Sequence, residues 1–158
     1  MLAQTKKHAI PRTETRTLIT KILEERKDVL VLLCKVSGLA PFPANKPLLA
    51  LMTEFCELLV DYIAAAHFGL YQRLSQGLER RGAVVDLAME IYPGIDRTTQ
   101  MALAFNDKYG GVTLSGDLTA LHRDLSHLGE ILASRIDLED RLITAMLGEP
   151  IRPARSAA

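Results

Sequence analysis

Apolar residues recur along this chain at spacings of three and four, and no stretch of strand length alternates with period two. Leu18, Ile19, Ile22, Leu23, Val29, Leu30, Leu33 and Val36 predict a first helix. It starts near Thr13 or Thr15, both suitable N-caps, and ends at Ser37-Gly38. Pro41, Pro43 and Pro47 make a stiff connection, and the last of them suits the first turn of a second helix. From Pro47 to about Leu78 only Gly69 and Gly77 weaken the helical pattern, so the second helix is long. Arg80-Arg81-Gly82 stops it. Ala83 to Tyr92 and Ile95 to about Tyr109 predict a third helix broken at Pro93, since an interior proline removes a backbone donor. Gly110-Gly111 opens a loop, and Asp117 caps a last helix that runs to about Leu147. Helices joined by short connections predict an all-α fold, an antiparallel up-and-down helical bundle of about four main helices. Residues 1–12 read as a flexible basic arm, 13–147 as the bundle domain and 148–158 as a disordered tail.

Two departures from simple amphipathic patterning stand out. On the second helix Val60, Ile63, Leu70 and Leu74 share one face, with His67 at its centre. An imidazole there needs a polar partner. On the last helix Arg135 and Glu139, four residues apart, fall within the apolar face formed by Leu121, Leu125, Leu128, Leu132, Leu142 and Met146. His67, Arg135 and Glu139 are therefore expected to form one buried polar cluster that sets helix register. Beside the His67 face, Glu57, Asp61, Ala64, Phe68 and Gln72 make a second stripe of acidic, small and aromatic residues. Such a stripe fits a basic, partly apolar protein partner, with Asp61 and Phe68 as anchors and Ala64, Tyr71 and Gln72 around them.

Composition narrows the function classes. Aromatic residues are 5% of the 158, and Trp is absent, as suits an aliphatic helical core. Nineteen basic and nineteen acidic residues cancel, which leaves no electrostatic footprint for direct nucleic-acid binding. No apolar run is long enough to cross a membrane, and no signal peptide opens the chain, so a cytoplasmic protein is expected. Cys34 and Cys56 lie in apolar helical stretches and read as reduced packing residues. Di-iron bundles use Glu-x-x-His pairs that face inward, and no such pair occurs; His122 and His127, five apart, diverge on a helix. The chain also lacks G-x-S-x-G, C-x-x-C and a phosphate-cradling glycine loop. The expectation is no metal, no cofactor and no catalytic residue.

Four groups of residues resemble one known family. They are Leu23-x-Glu25-Arg26-Lys27, then Phe55-Cys56-x-x-Leu59-Val60-Asp61-Tyr62 with Ala65-x-His67-Phe68-x-x-Tyr71. Next come Ile91-Tyr92-Pro93-x-Ile95 with Ala104-Phe105-Asn106-Asp107, and finally Leu128-Gly129-Glu130 with Arg135-x-x-Leu138-Glu139-Asp140-x-Leu142-Ile143. In this order, from Leu18 to Met146, they resemble the regulator-of-sigma-D family, also called Rsd/AlgQ. The resemblance implies an all-α anti-sigma factor that binds the C-terminal, promoter-reading domain of the primary sigma factor and favours alternative sigma factors. The chain departs from the family pattern in lacking a Trp near Ile22 and in reading Ala64-Ala65-Ala66 before His67. The residues alone leave two other classes open: a hemerythrin-like bundle that holds metal or a small ligand, and a signalling module with other regulatory protein partners.

Overall fold

The computed structural model describes residues 12–39, 45–77, 79, 81–111 and 118–148. Among these every regular element is helical. Four long helices carry the fold: α1 (Arg12–Ser37), α2 (Leu48–Ala66), α4 (Gly82–Tyr109) and α5 (Thr119–Leu147). Between α2 and α4 the chain makes a π-turn, His67–Tyr71, and a short α3, Gln72–Ser75. Packing follows a closed ring, α1 on α2, α2 on α4, α4 on α5 and α5 on α1. The expected arm and tail lie outside the described residues, apart from Arg12, which opens α1, and Gly148, which closes α5. Pro41, Pro43 and the Asp117 cap also lie outside them.

The core is built from the stripes that the spacing defines. Ile19, Ile22, Val29, Leu32 and Val36 of α1 meet Leu51, Met52, Phe55, Leu59 and Ile63 of α2. Leu121, Leu125, Leu128, Leu132, Leu142 and Ile143 close the core from α5. Phe55 and Phe105 pack edge to face with centroids 5.9 Å apart, tying α2 to α4. Cys56 is buried; burial and then the Glu57 charge push its thiol up to about 11, so it packs as an inert small apolar group. Gly148 adopts φ 70° and donates its N–H to the Thr144 carbonyl at 3.0 Å, a left-handed cap that suits glycine.

Two expectations about the helices are corrected. The third helix is not broken at Pro93: α4 runs unbroken through it for 28 residues. Pro93 lies on the exposed side, where water can take the carbonyl that the proline leaves without a donor. Gly94 beside it is turned toward α5, where an added Cβ would sit 2.7 Å from Leu138 Cδ1. The Pro-Gly pair thus marks a close approach of two helices. The second correction concerns the run from Pro47 to Leu78. It is interrupted by the π-turn and ends at Ser75, followed by Gly77 at φ 70°.

Candidate functional site

The π-turn decides which side chains α2 offers to solvent. Ala66 is fully buried, and Gly69, Leu70 and Tyr71 follow it inward. The inward arc of α2 runs through Leu59, Tyr62, Ile63 and Ala66. His67 lies one residue past that arc, so it is exposed and not part of the buried cluster. A face phased on Val60, Ile63 and Leu70 placed it wrongly, because Tyr62 and the small Ala66 are the residues that the neighbouring helices cover. Tyr71 is corrected in the opposite sense. Its position on the outer stripe assumed uniform α-helical rotation; the wider π-turn rotates it inward, leaving it 5% exposed. Glu57, Asp61, Phe68 and Gln72 are exposed, and Ala64 is half-buried.

Phe68 is 61% exposed and its ring meets His67 edge to face, centroids 5.1 Å apart. On the far side of His67 a groove of about 360 Å³ runs between the π-turn and α4, floored by Leu74 and Ala88 and flanked by Gln72, Met89 and Tyr92. Met89 is 72% exposed and Tyr92 46%. Neither residue was singled out in the sequence as part of a surface. The signal was present, since two large apolar groups three apart cannot both serve a helix face already filled by Val84, Ala88, Ile91 and Ile95. Farther back along α2, Glu57 and Asp61 border a separate cleft with Asn106 and Gly110 at the end of α4.

Under this surface lies a buried charged network. Arg135 and Glu139 are 1% and 0% exposed. Arg135 Nε donates to Glu139 Oε1 at 2.8 Å, and Nη1 donates to Thr99 Oγ1 at 2.7 Å and Thr98 Oγ1 at 3.2 Å. The Tyr62 hydroxyl donates to the same carboxylate, 2.5 Å from Oε1 and 2.9 Å from Oε2. Burial, and then the Glu139 charge, hold that hydroxyl well above its ordinary pKa, so it stays a donor. Arg26 reaches in from α1, with Nη2 3.6 Å from Glu139 Oε2 and Nη1 donating to Asp140 Oδ1 at 2.6 Å. Asp140 is therefore an ion-pair partner at the edge of the network. Two guanidinium groups face two carboxylates, a balanced set that joins α1, α2, α4 and α5. Arg26 and Tyr62 take the place that sequence reasoning gave to His67. Arg26 was legible, since it falls on the stripe Ile19, Ile22, Arg26, Val29.

Between network and surface lies a recess of about 190 Å³, walled by His67, Tyr71, Tyr92, Asp96, Thr99 and Arg135. Tyr71 and Tyr92 pack edge to face, centroids 6.2 Å apart, and with His67 they also wall the groove outside. The buried Tyr71 hydroxyl has no hydrogen-bond partner among the described residues.

These features define an all-α bundle pinned by an internal ion network, with an apolar groove and acidic side chains on one flank. Comparison with known proteins places it further. The model of the family described as regulator of RNA polymerase sigma(70) subunit, Rsd/AlgQ, matches residues 1–147, and the chain belongs to that family. A regulator of sigma D from Yersinia enterocolitica is 35% identical over 133 residues, covering 80% of this chain and 78% of its own. One from Yersinia pestis is 38% identical over 130 residues, covering 80% and 77%. One from Shigella dysenteriae is 32% identical over 133 residues, covering 82% and 84%. No solved structure matches the chain. Among the described residues no helix is long and apolar enough to cross a membrane.

Proposed function

We propose that this chain is an anti-sigma regulator that binds the C-terminal, promoter-reading domain of the primary sigma factor and thereby favours alternative sigma factors. Binding is its whole activity in this reading, without catalysis and without direct contact to nucleic acid. The observation that carries it is Phe68, more than half exposed on a helix flank that also presents Glu57 and Asp61. A sigma domain that reads promoter DNA presents basic groups to phosphate, so a flank with carboxylates around an aromatic anchor is its electrostatic complement. The exposed Met89 and Tyr92 extend the anchor into a groove, where apolar area is removed from water on binding. Membership of a family described as regulating the sigma(70) subunit supports the choice of partner.

The test is calorimetric titration of the isolated sigma C-terminal domain into the full chain. Asp61→Lys and Phe68→Ala should each weaken binding by about 1–3 kcal/mol, as expected for anchors at the centre of an interface. The melting temperature should not fall, because both side chains point into solvent. Unchanged affinity in both variants would move the interface elsewhere. Stoichiometric iron or manganese in the purified protein, with no sigma factor captured, would replace this reading by the metal-bundle class.

A further inference from the structure

The recess beneath the π-turn is not needed to hold a sigma domain on the outer flank, and its chemistry is that of a small binding site. Two of its walls are polar side chains more than nine-tenths buried. Arg135 already spends Nε and Nη1 on Glu139 and the two threonines. Tyr71 has no partner for its hydroxyl among the described residues, and burial, before any neighbouring charge, keeps that group protonated and able to donate. A buried hydroxyl without a partner is costly unless something else accepts from it. Thr99 accepts from Arg135, which leaves its own proton for a further acceptor. Tyr71, Thr99 and Arg135 thus bring donor groups to the wall of one recess.

The same recess is lined by the carboxylate of Asp96, which is exposed and so stands at its rim. Glu139 already balances the Arg135 charge, so a simple anion would bring an uncompensated negative charge beside Asp96. A simple amine would leave the buried donors unanswered. We infer that the recess binds a small zwitterion of the free amino-acid class, its carboxylate on Tyr71, Thr99 and Arg135 and its ammonium on Asp96. The volume of about 190 Å³ admits a ligand of that size, below the range of about 300–1,000 Å³ usual for drug-sized molecules. This inference stands apart from the sigma reading, since it rests on different residues.

The full chain is titrated by heteronuclear NMR with free amino acids from glycine to glutamine, and with acetate and ethylamine as half-ligands. Some amino acid should give saturable shifts centred on Tyr71 and Thr99 below about 10 mM, with acetate and ethylamine at least about tenfold weaker. Tyr71→Phe keeps the ring and removes the hydroxyl; it should weaken the amino acid about threefold to tenfold with an unchanged melting temperature. Asp96→Asn, on the exposed rim, should weaken the amino acid and leave acetate no weaker. Absence of saturable shifts across the panel overturns the inference, as does acetate binding as tightly as the amino acid, or undiminished affinity in both variants. No sigma factor enters the measurement, so its failure leaves the proposed function standing.

Discussion

Among the described residues a tyrosine, a cation and a carboxylate come together in the same arrangement at two places, once inside and once at the surface. In the interior the Tyr62 hydroxyl and Arg135 both donate to Glu139, and the Arg135 guanidinium lies 5.7 Å from the Tyr62 ring centroid. At the surface, where α4 meets α5, the Tyr109 hydroxyl and Lys108 both donate to Asp124, at 2.5 and 2.7 Å, and the Lys108 ammonium lies 5.4 Å from the Tyr109 ring centroid. Contact chemistry and distances are close to identical; the solvent is not. Glu139 is sealed from water, so each of its partners replaces hydration that the carboxylate has lost. Asp124 keeps part of its hydration, and Lys108 extends into water, so the outer trio competes with solvent and is screened by salt. Burial, not the hydrogen-bond list, decides which of the two the fold depends on.

The comparison is broken most directly by removing the inner carboxylate. Glu139→Ala leaves Arg135 and Arg26 facing each other across a dry site, with Asp140 as the remaining acid. Breaking a buried pair in this way costs about 3–5 kcal/mol. The denaturant midpoint should fall sharply, and any loss of sigma binding should track the unfolded fraction. A wild-type midpoint would mean that water reaches Glu139 and that the two trios are equivalent.

A narrower cut separates the tyrosine from the ions. Tyr62→Phe keeps the ring under Arg135 and deletes one donor to Glu139, whose two arginine partners remain. Hydrogen bonds to charged groups contribute about 1.5–3 kcal/mol, so the loss should be clear and smaller than for Glu139→Ala. Equilibrium urea unfolding of the two variants side by side ranks them. Equal losses would assign the whole effect to packing around α5, because only then does the identity of the deleted group cease to matter.

The inner trio was half legible in the sequence. Arg135 and Glu139 interrupt a regular apolar face four residues apart, which announces a buried pair. Arg26 interrupts the α1 stripe in the same way and was readable by the same rule. Tyr62 was not, since a tyrosine on an apolar face looks like ordinary core until a carboxylate is placed opposite it. His67 failed for a physical reason of phase. Its face was phased partly on Leu70, and periodicity relates Leu70 to α2 only along a uniform helix, whereas the π-turn His67–Tyr71 shifts the residues that follow its start. The same shift took Tyr71 from the outer stripe and gave it to the recess. Pro93 misled through a local rule that the exposed side of a long helix can tolerate. The bundle itself was legible throughout, because four long amphipathic stretches joined by short connections leave few other ways to bury their stripes.

The smallest effect is expected at the surface, and pH makes it measurable. The Lys108 hydrogen bond, and then that of Tyr109, hold the Asp124 carboxyl below the ordinary aspartate value of 3.8 in the folded protein. A depressed folded pKa means that the unfolded chain takes up the proton first as pH falls. The contribution of Asp124 is therefore fully present above about pH 4–5, and it is lost as pH drops through the folded value. Asp124→Asn removes this dependence. Its midpoint should lie slightly below wild type at neutral pH, by less than for either buried substitution, and the gap should close toward pH 3. High salt should also narrow the gap at neutral pH, because the pair is open to screening. A gap that persists unchanged at low pH and in high salt would show that Asn disturbs packing at the α4–α5 contact. The outer trio would then carry structural weight comparable to the inner one, and the contrast between them would rest on geometry instead of solvent.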